Sequence, residues 1–162
     1  MLVKKVLMSS LLVSMMTIAG VASADLSFVK TTDGSGLKID SALFDTPAAK
    51  EFLSTGKNSY VGNAEAAAKG KKLFGMYSCT QCHGPEAKGQ VGPGLVGPTF
   101  RYPKDATNKG MFETIWNGTN GGMGAKGLGL MDATDPTNGL KPDEVLKIIS
   151  WIRSQGSVTG NE

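Results

Sequence analysis

The segment CTQCHGPEAKG, residues 79–89, constrains this chain more than any other feature. It holds both cysteines of the 162-residue sequence, three positions apart, and the single histidine follows at once. All of the thiols and the one imidazole thus fall within residues 79–83. A chain with this arrangement is expected to fold around whatever these three side chains bind.

Four interpretations of Cys79, Cys82 and His83 compete. A disulfide between the cysteines would close so short a loop that it would add little stability. A thioredoxin-like pair needs a βαβ context, which the sequence does not show. Zinc needs four ligands, whereas the chain offers two thiols and one imidazole. C-x-x-C-H is the pattern of haem attachment, in which both thiols bond to haem vinyl groups and the histidine ligates iron. We therefore predict one covalent haem c.

An iron atom held in this way needs a sixth ligand, and methionine is usual in electron carriers. Met123 is the preferred candidate, because the glycines of NGGMGAKG let the backbone approach a flat ring closely. Met131, in a polar loop farther along, is the alternative. Met76 lies too near the cysteines, and Met111 is predicted to be a core residue on a helix.

The proximal histidine also needs an acceptor for its other ring nitrogen. GPGL begins shortly after His83, and the carbonyl of Pro93 in this segment is the predicted partner of Nδ1. An ordinary turn is the alternative interpretation of this segment.

The N-terminus has the features of a cleavable secretory signal over residues 1–24. Lys4 and Lys5 precede a short apolar run, and Ala22-Ser23-Ala24 supplies small residues before the cut. The run is too short to span a bilayer comfortably, although an uncleaved anchor is the alternative. We therefore predict a bacterial periplasmic protein without stable membrane insertion after cleavage. Haem attachment agrees with this prediction, because c-type haem is attached outside the cytoplasm.

The charge balance argues against a nucleic-acid partner. The chain has 17 basic and 14 acidic residues, and cleavage would remove two lysines and leave 15 against 14. Since no basic stripe or run of like charge is present, we predict no nucleic-acid binding.

The rest of the chain predicts a mainly α structure with long Gly/Pro-rich loops. Residues 25–62 are interpreted as an N-terminal extension with one helix in TPAAKEFLSTG, residues 63–156 as the main domain, and residues 157–162 as a tail. Helices are also predicted in NAEAAAKGKKLFGMYS, NKGMFETIWNG and KPDEVLKIISWIRSQG. No segment of the sequence is predicted to form a strand of any length. Gly70 in a helix interior costs about 1 kcal/mol relative to alanine, which indicates a close crossing with another helix.

These features resemble a known family. The order helix, CxxCH, GPGL loop, short helix, methionine loop and C-terminal helix resembles the class I c-type cytochromes over about residues 63–155. The stretches GPGLVGPTFRYPKDATNKGMFETIWNGTNGGMGAKG and KPDEVLKIISWIRS resemble the cytochromes c-L in particular. The resemblance implies a class I cytochrome c fold, with helices wrapped around one haem and a helix crossing at Gly70, Phe74 and Trp151.

The resemblance also implies a function. Cytochromes c-L accept electrons from methanol dehydrogenases that use pyrroloquinoline quinone (PQQ), of the calcium or lanthanide type, and pass them to another c-type cytochrome. The chain is then an electron-transfer protein and not an enzyme. Two alternatives remain: a carrier for a different quinoprotein alcohol dehydrogenase, and a haem enzyme subunit of the peroxidase or nitrite reductase kind. The second alternative lacks a second histidine to act as a distal base.

Three details depart from the family pattern or extend it. Cys79 lies five positions after Phe74, where four are common, so we expect an irregular helix end. Some family members hold calcium near the haem, and Asp132, Asp135 and Asn138 are candidate ligands, with a solvated turn as the alternative. Docking is expected at the haem edge, within a rim of mixed charge formed by Lys88, Lys104, Lys126, Glu86, Asp105 and Asp132.

Overall fold

The computed structural model describes residues 25–156 and is mainly helical, as predicted. The predicted signal peptide and tail lie outside these residues. Within 25–156, no helix is both long and apolar enough to cross a bilayer. The helices are α1 Pro47–Thr55, α2 Ala64–Met76, α3 Thr80–His83, α4 Asn108–Asn117 and α5 Pro142–Gln155, with 3₁₀ turns at Ser41–Leu43 and Pro103–Ala106. Two short strands, β1 Phe28–Val29 and β2 Gly36–Leu37, pair antiparallel.

The first two helices begin at short polar residues, Thr46 and Asn63, that cap their N-termini. The Thr46 hydroxyl accepts the N–H of Ala49 at 3.2 Å at the start of α1, and Gly56 ends that helix with φ 77°. At the start of α2 the side chain of Asn63 accepts the N–H of Ala66 at 2.9 Å. These side chains satisfy backbone donors that a helix end leaves without partners.

The predicted crossing of α2 with another helix is confirmed, and the other helix is α5. Gly70 faces the backbone of Lys147, and a Cβ built on Gly70 would lie only 2.5 Å from the carbonyl carbon of Lys147. One turn further along α2, the ring of Phe74 lies 4.7 Å from that of Trp151, centroid to centroid. The glycine therefore sets how closely the two helices approach.

The predicted irregular end of α2 is also confirmed. Ser78 has a positive φ of 59°, which is uncommon for a residue other than glycine. The N–H of Cys79 reaches back five residues to the carbonyl of Phe74, at 3.1 Å. The extra residue between Phe74 and Cys79 is thus accommodated in a wide turn, and α3 begins directly after it.

The N-terminal extension packs into the same hydrophobic core as the rest of the chain. The rings of Phe28, Phe44 and Phe52 lie 5.3, 6.1 and 4.9 Å from the ring of Phe112 on α4. All four belong to one buried cluster that continues into α5. A domain boundary at residue 62 stays a prediction, but the extension and the helices after it share one core.

Two buried carboxylates tie this extension to the helices. Asp143 in the first turn of α5 accepts hydrogen bonds from the hydroxyls of Thr46 and Tyr60, at 2.8 and 2.7 Å. Glu113 on α4 accepts the backbone N–H of Val29 at 2.9 Å. Since both carboxylates are nearly inaccessible to solvent, these bonds fix where the extension packs.

Candidate functional site

The short helix α3 presents the predicted haem-attachment residues in three different environments. Cys79 at its start is half-buried, Cys82 is exposed, and His83 is only 7 % exposed. The two cysteines form no disulfide with each other. Burial raises the pKa of the Cys79 thiol.

The loop after α3 orients the imidazole of His83. Nδ1 of His83 lies 2.8 Å from the carbonyl oxygen of Pro93, which is the contact that the sequence predicts. The N–H of Gly92 donates to the carbonyl of Cys82 at 2.7 Å and holds the loop against α3. A Cβ on Gly92 would lie 3.2 Å from the imidazole carbon Cε1, so only glycine fits this approach easily. With Nδ1 engaged by Pro93, Nε2 is the ring nitrogen that remains for a metal.

The loop after α4 places Met123. Gly118 ends α4 with φ 75°, and a Cβ there would lie 2.5 Å from the carbonyl oxygen of Met123. That oxygen accepts the N–H of Thr119 at 2.9 Å, which closes the loop. Met123 is half-buried and packs against the hydrophobic core.

One cavity brings the candidate ligands together. His83, Cys79 and Met123 all line it, and most of the remaining wall consists of apolar side chains from the helices and the loop after α3: Phe74, Leu95, Met111, Ile115, Ile148 and Ile152. Met131 is not among the lining residues. Met111 does line the cavity, but it is a core residue of α4 and only 2 % exposed, as predicted. Met123 is therefore the lining methionine that comes from a loop.

Two polar residues in the same wall were not predicted. Asp105 and Thr114 line the cavity, and the Thr114 hydroxyl donates to Oδ1 of Asp105 at 2.7 Å. The prediction that Asp105 lies on the exposed rim is wrong, because the 3₁₀ turn at Pro103–Ala106 packs against α4 and leaves Asp105 5 % exposed. A linear charge pattern does not distinguish such an aspartate from a surface one.

Arg153 on α5 lies beside Asp105 and is also buried. Its Nη2 donates to the backbone carbonyl of Asp105 at 2.8 Å, and the guanidinium lies over the ring of Phe100. Nε and Nη1 of Arg153 have no hydrogen-bond partner among residues 25–156. Buried donors of this kind are costly unless they are paired.

This set of residues fits haem c. The cavity is mostly apolar and thus suits a flat macrocycle. Cys79 and Cys82 would supply the two thioether sulfurs, and His83 and Met123 the axial nitrogen and sulfur. When bound, haem c supplies an iron centre that takes up and releases one electron.

The candidate calcium ligands serve a local turn. Oδ1 of Asp132 accepts the N–H and hydroxyl of Thr134, and Oδ1 of Asp135 does the same with Thr137. Within residues 25–156, no group of three or more His, Cys, Asp or Glu side chains is placed to hold a metal ion. The calcium prediction therefore gains no support, and these contacts match the alternative of a solvated turn.

Comparison with known proteins agrees with the geometry. Residues 67–156 match the family Cytochrome c. Cytochrome c-L of Methylorubrum extorquens is 44 % identical over 110 residues, which are 67 % of this chain and 50 % of that protein. The chain thus matches half the length of this curated relative.

Two solved structures are similar over most of the chain. Cytochrome cL of Hyphomicrobium denitrificans is 40 % identical with a TM-score of 0.67, covering 80 % of this chain and 73 % of that one. Cytochrome cL of the marine methylotroph Methylophaga aminisulfidivorans is 38 % identical with a TM-score of 0.66, covering 80 % and 79 %. This chain therefore belongs to the cytochrome c family, with the class I fold and the covalent haem c of that family, and it is related within it to the cytochromes c-L.

Proposed function

We propose that this protein is a periplasmic one-electron carrier. It accepts electrons from a PQQ-dependent methanol dehydrogenase, of the calcium or lanthanide type, and passes them to another c-type cytochrome. Haem c is bound through Cys79 and Cys82, with His83 and Met123 as the axial ligands. The relatives named cytochrome c-L support the partner and the methylotrophic role, and the sequence of residues 1–24 supports the location.

The observation that carries this proposal is the shared cavity of His83 and Met123. A chain that supplies two axial ligands leaves no open iron position for a substrate, so the site suits electron transfer better than catalysis. The hydrogen bond of His83 to Pro93 supports this role, because an oriented imidazole is a stronger and better aligned ligand. An enzyme would need an open position and a base beside it, and the only histidine of the chain is already used.

Electron exchange requires that part of the site reach the surface. Cys82 is exposed, and Val91 in the adjacent loop has 85 % of its surface accessible to solvent. In the loop after α3, Lys88 and Glu86 form an ion pair at 2.7 Å, so their charges partly cancel. We define this surface, formed by Gln81, Cys82 and Val91, as the exchange edge. An uncharged, partly apolar edge suits the small and short-lived interface of a redox encounter.

The experiment mixes the oxidised holoprotein with a purified PQQ methanol dehydrogenase and follows haem reduction by its absorbance. The expected result is second-order reduction that requires methanol. If chemical reductants reduce the haem and the dehydrogenase does not, the partner assignment fails while the carrier role stands. Rapid binding of carbon monoxide to the reduced protein would instead favour the haem enzyme alternative.

Two variants test the exchange edge with a matched control. Val91→Glu places a charge at the edge and is expected to slow reduction by the dehydrogenase about tenfold, because a carboxylate must lose its water on docking. Leu130→Glu makes the same change on another loop, at a side chain that is 46 % exposed, and should leave the rate unchanged. Equal rates in the two variants would place docking elsewhere.

A quinoprotein ethanol dehydrogenase, assayed in parallel, tests the alternative that this protein serves a different quinoprotein alcohol dehydrogenase.

A further inference from the structure

Asp105 is a buried carboxyl group that the proposed electron transfer does not use. It lies 5 % exposed in the wall of the cavity that His83, Cys79 and Met123 also line. It comes from the 3₁₀ turn at Pro103–Ala106 and not from the haem-attachment segment. A carboxylate here faces the space that the haem is expected to fill.

The surroundings of Asp105 leave its charge only partly compensated. The Thr114 hydroxyl donates to its carboxylate, whereas Arg153 donates to its backbone carbonyl. Lys104, on the same turn, forms its ion pair with Glu113 at 2.7 Å. Within residues 25–156, no lysine or arginine forms an ion pair with the Asp105 carboxylate. Burial raises the pKa of Asp105 to about 6, and the negative charge of Glu113 adds to this rise. The hydrogen bond from Thr114 and the positive charges of Lys104 and Arg153 act in the opposite direction.

A chain of hydroxyl groups leads from Asp105 towards the N-terminal extension. Oγ1 of Thr31 lies 3.0 Å from Oγ1 of Thr114, which in turn donates to Asp105 at 2.7 Å. Because the Thr114 proton points to the carboxylate, Thr31 is the donor in the outer bond. Thr31 is half-exposed, so this chain connects the buried carboxyl to a residue that water can reach.

We propose that Asp105 is a redox-linked proton site. When the protein accepts one electron from a one-electron donor, the Asp105 carboxylate takes up one proton from water and forms an O–H bond. When the electron leaves to the acceptor, that bond breaks and the proton returns to water. The proposal rests on the proposed function in one respect, which is that haem c occupies the cavity.

The physical reason is electrostatic. Haem bound in this cavity would supply a charge that falls by one on reduction, and in a site of low dielectric the loss of that positive charge would disfavour the carboxylate of Asp105, which lines the same cavity. The neutral acid is then favoured in the reduced protein. Because linkage is reciprocal, deprotonation of Asp105 must favour the oxidised protein by the same factor. The midpoint potential should therefore fall as the pH rises through the pKa of Asp105.

The experiment is a potentiometric titration of the holoprotein from about pH 5 to about pH 8, a range that brackets the raised pKa. The potential of the parent protein should fall across this range, with a slope of at most about 59 mV per pH unit, the value for a tenfold change in a one-electron couple. Asp105→Asn keeps the shape of the side chain and an oxygen that accepts from Thr114. The midpoint potential of this variant should not change with pH over the same range. Asp135→Asn, at an exposed carboxyl, is the control and should keep the parent slope.

Two further measurements keep the proposal falsifiable if Asp105→Asn does not fold. Thr114→Val removes a hydrogen bond to the carboxylate, which raises its pKa and should move the sloping region to higher pH. Infrared difference spectra of the reduced and oxidised parent should show a protonated carboxyl band on reduction.

The outcomes separate the two proposals. A normal haem spectrum with a flat potential in the parent, or with an unchanged slope in Asp105→Asn, would overturn the role of Asp105 and leave the carrier role intact. A slope that survives in Asp105→Asn would assign the proton to another group, such as a haem propionate. A protein without covalent haem would instead overturn the proposed function itself.

Discussion

Gly70→Ala tests how the helix crossing supports the site. On an isolated helix this substitution would stabilise by about 1 kcal/mol. Here the new Cβ would lie 2.5 Å from the carbonyl carbon of Lys147 and would overlap its oxygen. Restoring an ordinary carbon–carbon contact of about 3.5 Å requires α2 and α5 to separate by about 1 Å. Overpacking of a core costs about 1–3 kcal/mol, and the upper figure applies because the obstacle is backbone.

The net expectation is a loss of about 2 kcal/mol in the free energy of unfolding, after the gain in helix propensity is subtracted. Gly75→Ala is the matched control on the same helix, since a Cβ there meets nothing within 4 Å. It should stabilise by up to about 1 kcal/mol. Urea unfolding of both holoproteins, followed by circular dichroism, gives the two values. A Gly70→Ala variant as stable as the parent, or more stable, would refute the reasoning.

Three further outcomes are expected. Cys82→Ala should leave haem attached through one thioether or not at all, and two covalent links surviving acid denaturation would contradict its role. Burial disfavours the Asp143 carboxylate, but hydrogen bonds from Lys147, Tyr60 and Thr46 outweigh this and hold its pKa below the ordinary value. The stability that this carboxylate contributes is therefore present at neutral pH and is lost in acid, as the pH falls through the lowered pKa. Asp143→Asn should lower the free energy of unfolding by about 2 kcal/mol at neutral pH. The same variant should also weaken the acid dependence of unfolding. Reduction by methanol dehydrogenase should slow only modestly between low and physiological ionic strength, because the exchange edge is uncharged, and a hundredfold fall would point to a charged patch.

The sequence predicts the parts of this structure that depend on local chemistry. Thr46 and Asn63 cap their helices because short polar side chains satisfy free N–H groups, and this needs no tertiary information. The contact of His83 with Pro93 follows in the same way, from the need of an imidazole for an acceptor and from a loop of fitting length. Gly70 indicated a crossing because a glycine inside a helix is unfavourable without a packing reason.

The parts that the sequence did not predict depend on distant contacts. β1 and β2 are two residues each, too short to show an alternating pattern. Asp105 looks like a surface residue until the turn that carries it packs on α4. Its neighbour Arg153 lies 48 residues away, so no local pattern relates the two.

The absorption spectrum of the oxidised holoprotein tests the central claim most directly, which is that the haem lies between His83 and Met123. The account predicts the weak band at the red end of the spectrum that marks methionine bound to ferric haem. Met123→Ala should abolish this band, lower the potential and admit external ligands, whereas Met131→Ala should change none of these. Loss of the band in Met131→Ala together with its retention in Met123→Ala would contradict the account and assign the sixth ligand to Met131.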